Sequence, residues 1–81
     1  MFSGDFEIYV KRALISEVRI LRFETGLWSV FTSGRTPSYK SSFIELQRGG
    51  LRCWSTLDAA YSFIRNSGFN GPVNVADSTR S

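Results

Sequence analysis

Basic side chains are concentrated in the middle of the chain, and their chemistry is the first to stand out. Between Lys11 and Arg52 there are eight basic residues and three acidic ones, whereas the remainder of the chain is net acidic by two. A local excess of positive charge is typical of a surface that binds phosphate groups. Most of these cations are arginine, whose planar guanidinium forms bidentate hydrogen bonds with phosphate or guanine. The alternative is a solvated sheet surface with ordinary charge scatter, since the net charge of the chain is only +3.

Aromatic residues lie next to several of these cations in the sequence. Tyr39 precedes Lys40 in a segment rich in Gly, Pro and Ser, and Trp54 is two residues from Arg52. A sheet that presents rings among arginines can bind unstacked bases. We therefore predict a nucleic-acid-binding surface on which Tyr39 stacks and cations neutralise phosphates; the cations are Arg19, Arg22, Arg35, Lys40, Arg48 and Arg52. In the alternative interpretation Phe31 and Trp54 are core residues, and Tyr39 is a hydrophobic lid over the sheet edge.

The residue types that carry most enzyme chemistry are scarce. The chain has no histidine and one cysteine, Cys53. It therefore lacks the usual proton-transfer side chain, a hydrolytic triad and the ligands of a common zinc site. Its glycines do not have the spacing of a GxGxxG or GxxxxGK phosphate loop. We expect no enzyme activity, no catalytic residue, no metal site and no cofactor, and we interpret Cys53 as a small core residue.

Length and composition predict one small domain in a reducing compartment. A chain of 81 residues can build a single core, so we expect either marginal stability or dimerisation. We assign residues 1–76 to the domain and residues 77–81 to a polar tail. A lone cysteine excludes an intramolecular disulfide, which favours the cytoplasm. The first residues lack the pattern of a signal peptide, and no segment is long enough to span a bilayer, so we expect no membrane partner.

Alternation of apolar and polar residues predicts five strands, at residues 5–11, 17–24, 27–32, 43–47 and 51–54. In the first of them Phe6, Ile8 and Val10 share one face. In the second, the apolar residues change face, which predicts a bulge near Ile20. Thr25-Gly26 connects the second and third strands as a hairpin.

Turn residues and a helix signal complete the pattern. Residues 33–41 are predicted to be a loop, and Gly49-Gly50 a tight hairpin turn. Ser55 is placed to cap a helix over residues 55–67, with Asp58 reaching back as in a capping box. The apolar stripe of this helix has helical spacing and consists of Leu57, Ala60, Tyr61 and Ile64. Gly68 ends the helix, with Phe69 as its hydrophobic contact, and residues 73–75 could add an edge strand.

The segment Cys53-Trp54-Ser55-Thr56-Leu57-Asp58-Ala59-Ala60-Tyr61 resembles the helix entry of the three-strand-plus-helix DNA-binding domains. This family contains plant AP2 domains and the arm-binding domains of phage-type integrases, and the resemblance covers residues 26–68. It implies that a sheet face enters the major groove, with Arg52 and Gln47 as base readers. The chain departs from the family by adding an N-terminal strand pair and a long loop. A second likeness is to small single-strand binders with a curved four-strand sheet and a C-terminal helix.

The sequence therefore predicts an α+β fold, in which an antiparallel sheet of about five strands packs against one helix at residues 55–67. The predicted function is that of a nucleic-acid-binding accessory or regulatory protein of the kind that mobile elements encode, with DNA expected rather than RNA. The basic sheet face and the loop at residues 33–41 would contact the polyanion. The alternative is a protein-interaction or homodimerisation module that uses an exposed edge strand or an aromatic face.

Overall fold

A four-stranded mixed sheet with two helices forms the fold of residues 1–36 and 39–77, the part of the chain that the computed structural model describes. The elements in chain order are α1 (Ser3–Lys11), β1 (Ile15–Arg22), β2 (Trp28–Gly34), β3 (Ser42–Phe43), α2 (Leu57–Asn66) and β4 (Val73–Asp77). The strand order is β3-β2-β1-β4, with β4 parallel to β1 and the other pairs antiparallel. The α+β class is confirmed, but the sheet is not the five-stranded antiparallel one that we predicted, and a second helix is present.

The first element is a helix and not the strand that we predicted for residues 5–11. In α1 the side chain of Phe6 is fully buried, Tyr9 and Val10 pack against the same core, and Ile8 is 49% exposed. Positions 6, 9 and 10 lie on one side of a helix, whereas a strand would have placed Phe6, Ile8 and Val10 together. Both periodicities fit so short a segment, and packing against the sheet decides between them.

The hairpin that we predicted between β1 and β2 is confirmed. Its turn contains Gly26 with a positive φ of 85°, a conformation that glycine adopts without steric cost. The register is irregular between Ile15 and Glu17, so the bulge that we predicted near Ile20 is wrong. Near Ile20 the strand is regular, and both of its faces carry apolar side chains: Val18 and Ile20 on the helix side, and Leu21 on the opposite side.

The register of β1 and β2 divides their side chains between two faces of the sheet. The pairs Val18–Thr32 and Ile20–Val30 point to the side where both helices bury side chains in the core, and we call this the helix-covered face. The alternate positions point to the other side, which neither helix covers and which we call the open face. Its larger side chains are Arg19, Leu21, Phe23, Phe31 and Phe43.

Residues 43–54 do not form the fourth and fifth strands that we predicted. β3 has only two residues, after which Ile44 enters the core and is fully buried. From there the chain turns back on itself. One isolated bridge joins Glu45 to Leu51, and another joins Trp28 to Trp54. The predicted turn is present, since Gly49 and Gly50 have positive φ angles of 100° and 84°. The backbone pairing beside this turn is limited to the hydrogen bonds of the Leu46 amide with the Gly50 carbonyl and of the Arg52 amide with the Ile44 carbonyl.

The C-terminal helix is confirmed, with a shifted start. Its N-cap is Thr56, whose side-chain oxygen accepts a hydrogen bond from the Ala59 amide at 3.1 Å, and not Ser55. Gly68 follows the helix with a φ of 97°, and Phe69 is buried behind it, as predicted. Tyr61 is exposed, although we placed it on the buried stripe. Neither helix in the described part of the chain has the length and apolar character needed to cross a membrane.

The predicted edge strand after Pro72 is also present, and it is longer than expected. β4 pairs in parallel with β1 from Val73 to Asp77. The first residue of the tail that we assigned to residues 77–81 therefore belongs to β4, and residues 78–81 lie outside the described residues.

Candidate nucleic-acid interface

The predicted site residues are not gathered on one surface of the fold. Arg48 and Arg52 line one cavity, and Tyr39 and Lys40 line another. The other three predicted residues are apart from these and from one another. Arg19 lies on the open face, Arg22 on the helix-covered face, and Arg35 in the loop after β2. The sheet therefore does not present a single cationic platform.

The largest convergence of predicted residues is a cavity of about 530 Å³ between the first turn of α1 and residues 45–52, which we call the Arg52 cavity. Its lining residues with polar side chains are Ser3, Glu45, Gln47, Arg48 and Arg52, and the others are Phe2, Gly4 and Leu46. Gln47, which the resemblance assigned to base reading, thus lines the cavity together with two arginines. Such groups are the usual partners of phosphates and base edges.

Two aromatic rings and one hydroxyl group orient Arg52. Its guanidinium carbon lies 5.0 Å from the ring centroid of Trp54 and 5.2 Å from that of Phe63. Its Nη1 donates a hydrogen bond of 2.9 Å to the hydroxyl of Ser3. The backbone of Trp54 is itself held by two 2.8 Å hydrogen bonds with Trp28 at the start of β2. The guanidinium is therefore pre-organised.

The charges around the Arg52 cavity favour an anion. Glu45 lines the cavity, but its carboxylate is paired with the amino group of Met1 at 3.0 Å. No carboxylate among the described side chains lies within ion-pair distance of Arg48 or Arg52. Phe2 at the N-cap of α1 has no side-chain acceptor for the amides of the first turn, and the N-terminus of a helix favours a negative charge. The local excess of positive charge is thus not cancelled within the site.

Tyr39 does not have the exposed position that we predicted for a stacking residue. Its ring packs against the core and meets Tyr9 of α1 edge to face at 5.9 Å. Its hydroxyl is hydrogen-bonded to that of Thr32 at 2.8 Å. Burial raises the pKa of the Tyr39 phenol above its ordinary value, the hydrogen bond with Thr32 lowers it, and the neighbouring phenol of Tyr9 raises it. Tyr39 therefore corresponds to the lid of our alternative interpretation.

The loop that carries Tyr39 contributes two exposed cations. Lys40 lies at the rim of the second cavity, of about 450 Å³, which Tyr9 and Tyr39 also line. Arg35 is exposed, and its amide donates to the carbonyl of Leu14 at 2.9 Å. Part of the predicted loop, residues 37–38, lies outside the described residues.

Arg19 and Arg22 belong to opposite faces of the sheet. Arg19 on the open face lies 3.7 Å from the carboxylate of Glu17, which also accepts a hydrogen bond from Asn74. Arg22 on the helix-covered face places its guanidinium 5.6 Å from the ring centroid of Trp28. Because side chains alternate along a strand, an odd spacing such as 19 to 22 always separates two residues in this way.

Besides Arg19, the open face carries a cluster of phenylalanine rings. Phe43 lies 4.9 Å from Phe31 and 6.1 Å from Phe23 between ring centroids. All three side chains are half-buried, and they cover one another. Cys53 is on the same side of the sheet, with its sulfur 3.3 Å from the hydroxyl of Ser29, and is exposed. Our interpretation of Cys53 as a core residue is therefore wrong.

Sequence reasoning missed the contribution of the N-terminus to the Arg52 cavity. Ser3 and Gly4 enter the site only because the residues that follow them form α1, which we predicted as a strand. The spacing of Phe2, Phe6, Tyr9 and Val10 in the sequence is a helical signal that could have revealed it.

Comparison with protein-family models finds no family that matches the chain. Comparisons with curated proteins and with solved structures find no match either. The resemblance to the three-strand-plus-helix DNA-binding domains stays a prediction. Within residues 1–36 and 39–77, no three side chains of the Cys, Asp or Glu types come together as metal ligands would.

Proposed function

We propose that the protein binds nucleic acid and that the Arg52 cavity receives a phosphate group of the backbone. One observation carries the proposal: Arg48, Arg52 and Gln47, three residues suited to phosphate and base recognition, line the same cavity. The guanidinium of Arg52 is held between aromatic rings and Ser3, so little conformational entropy is lost when it binds. DNA is the expected ligand.

The proposed interface is smaller than the basic sheet of the sequence prediction. Arg48 and Arg52 form its centre, and Gln47, which lines the same cavity, would contact a base edge next to the bound phosphate. Arg19 plays no part in it, because its guanidinium is near Glu17 on the open face. Few phosphate contacts imply weak binding that depends on salt concentration.

The test is a titration of fluorescent single- and double-stranded oligonucleotides at several salt concentrations. We expect Arg48→Gln to weaken binding and to reduce the slope of log affinity against log salt by about 1, the effect of one lost phosphate contact. Arg52→Lys keeps the charge and should weaken binding through the loss of bidentate geometry. The matched control is Arg19→Gln, which removes the same charge from the open face.

The control should bind with the affinity and salt slope of the wild type. Equal losses in Arg19→Gln and Arg48→Gln would show that only net charge matters and would contradict the site. A wild-type protein that binds neither oligonucleotide at low salt would contradict the function.

A second candidate function is protein recognition by the open face. It is favoured by the cluster of Phe23, Phe31 and Phe43, because clustered aromatic side chains on an uncovered sheet are typical of interaction surfaces. Phe31→Thr, which keeps a residue favourable in strands, should abolish capture of a partner in affinity purification. The double variant Arg35→Gln, Lys40→Gln should retain it. Neither variant should show the loss of nucleic-acid affinity that we expect for Arg48→Gln.

A further inference from the structure

The outer edge of β4 is free for strand pairing among the described residues. β4 pairs with β1 from Val73 to Asp77 without a break in register, and it is the last strand of the sheet on that side. The opposite edge is β3, which has only two residues. Very short strands, prolines, lysines and bulges are the devices that usually prevent edges from pairing. β3 is protected by its length, whereas β4 has five residues and contains no proline, lysine or bulge between Val73 and Asp77.

The hydrogen bonds with β1 determine which backbone groups of β4 point outward. The amide of Val18 donates to the carbonyl of Pro72 at 3.1 Å. In a parallel pair, every second residue directs both its amide and its carbonyl to the same neighbour. Pro72 and every second residue after it therefore face β1. The residues between them direct their backbone groups away from the sheet, and these are Val73, Val75 and Asp77.

Val75 adds an exposed apolar side chain to this edge. It is the register partner of Ile20, so its side chain points to the helix-covered side. Ile20 is fully buried, yet Val75 is 53% exposed because no strand lies beyond it among the described residues. An amide, a carbonyl and an apolar side chain thus occur together at one position, and a neighbouring strand would satisfy all three.

We propose that β4 pairs with β4 of a second copy of the chain, antiparallel and about a two-fold axis at Val75. In this register Val75 exchanges both backbone hydrogen bonds with Val75 of the second copy, and Val73 pairs with Asp77 on either side of the axis. It is the register that uses every outward-facing residue of the strand. Valine meets valine at the axis, and no two like charges are directly opposite, because Asp77 is the one ionisable residue of β4.

The dimer joins the two four-stranded sheets into one continuous sheet. A two-fold axis perpendicular to the sheet puts the open faces of both copies on the same side, so the two phenylalanine clusters become part of one surface. Pairing of two five-residue strands buries less than the roughly 1,200 Å² of a stable interface. The dimer is therefore weak and reversible.

The test is sedimentation equilibrium over a range of protein concentrations. The average mass of the wild type should rise from that of the monomer toward that of the dimer. Val75→Lys places two ammonium groups side by side at the axis and should stay monomeric at every concentration. Its matched control is Ile8→Lys, which adds the same charge at an equally exposed position on α1 and should dimerise as the wild type does. Circular dichroism checks that both variants fold.

Hydrogen exchange distinguishes edge pairing from any other association. As the protein concentration rises, the amides of Val73 and Val75 should exchange at least tenfold more slowly in the wild type. In Val75→Lys the exchange rates at these two positions should not change. A wild type that remains monomeric up to millimolar concentration would overturn the proposal. So would a dimer in which these two amides stay unprotected, or one that Val75→Lys forms as readily.

Discussion

The hydroxyl of Tyr39 lies 2.8 Å from that of Thr32, and this hydrogen bond ties the segment after β2 to the strand itself. The Tyr39 phenol has a raised pKa because it is buried. In the unfolded chain the same phenol ionises near pH 10. As the pH rises past this value the unfolded state loses its proton first, so the free energy of unfolding should fall between the unfolded and the folded pKa.

The variant Tyr39→Phe tests this relationship. It should lower the free energy of unfolding by about 1 kcal/mol at neutral pH through loss of the hydrogen bond. Its stability should also decline less than that of the wild type above about pH 10. Urea unfolding from about pH 8 to pH 11 measures both effects. The control is Tyr61→Phe, which removes an exposed phenol from α2 that accepts a hydrogen bond from Arg65. It should keep the pH dependence of the wild type, and a parallel decline in all three proteins would contradict the assignment.

Gly34 leaves room for the Tyr39 ring. A Cβ atom at position 34 would overlap the Tyr39 side chain. We expect Gly34→Ala to displace the ring and to lower the free energy of unfolding by about 1 to 3 kcal/mol, the usual cost of overpacking. The control is Gly4→Ala, because nothing lies within 4 Å of a Cβ there. Thermal unfolding should show the control unchanged or stabilised by up to about 1 kcal/mol, and an equally tolerated Gly34→Ala would mean that Tyr39 lies elsewhere.

If α1 is a helix, substitutions at positions 6 and 8 should differ in their effect on stability, whereas in a strand they would not. Phe6 is fully buried and Ile8 is exposed. We therefore expect Phe6→Ala to lower the free energy of unfolding by about 3 to 5 kcal/mol, and Ile8→Ala to change it by less than about 0.5 kcal/mol. Denaturant titration compares the two variants. Comparable losses would indicate that both residues share a buried face, as they would in a strand.

At the N-terminus of α2, the neighbouring residues Ser55 and Thr56 should contribute differently to stability. Thr56 accepts the hydrogen bond from the Ala59 amide, and Ser55 is exposed. Thr56→Ala should cost about 1 kcal/mol of stability, the typical value of a lost cap. Ser55→Ala should be close to neutral, which thermal unfolding of both variants can establish. The reverse order would move the start of the helix by one residue.

Local patterns predicted those elements that depend on local physics. The turn at Gly26 and the end of α2 at Gly68 follow from glycine's access to positive φ angles. The alternation in β1 and β2 follows from the two-residue period of a strand. Where two periods fitted one short segment, as in α1, the sequence left the choice open and we chose wrongly.

The candidate site was predictable only in its residue types. The concentration of basic residues between Lys11 and Arg52 is visible in the sequence, but it does not reveal which of them share a surface. Arg48 and Arg52 meet at one cavity because residues 45–52 turn back against α1. Tyr39 lies apart from them because Gly34 admits its ring close to the sheet.

By itself the sequence determined an α+β fold, its central hairpin, its C-terminal helix and the excess of arginine. The tertiary structure alone decided that β4 lies parallel to β1, that one face of the sheet remains uncovered, and which cations converge. The reason is physical. Turn geometry and side-chain alternation are properties of a few consecutive residues, whereas strand partners and covered faces depend on contacts between distant segments, which no short stretch of sequence encodes.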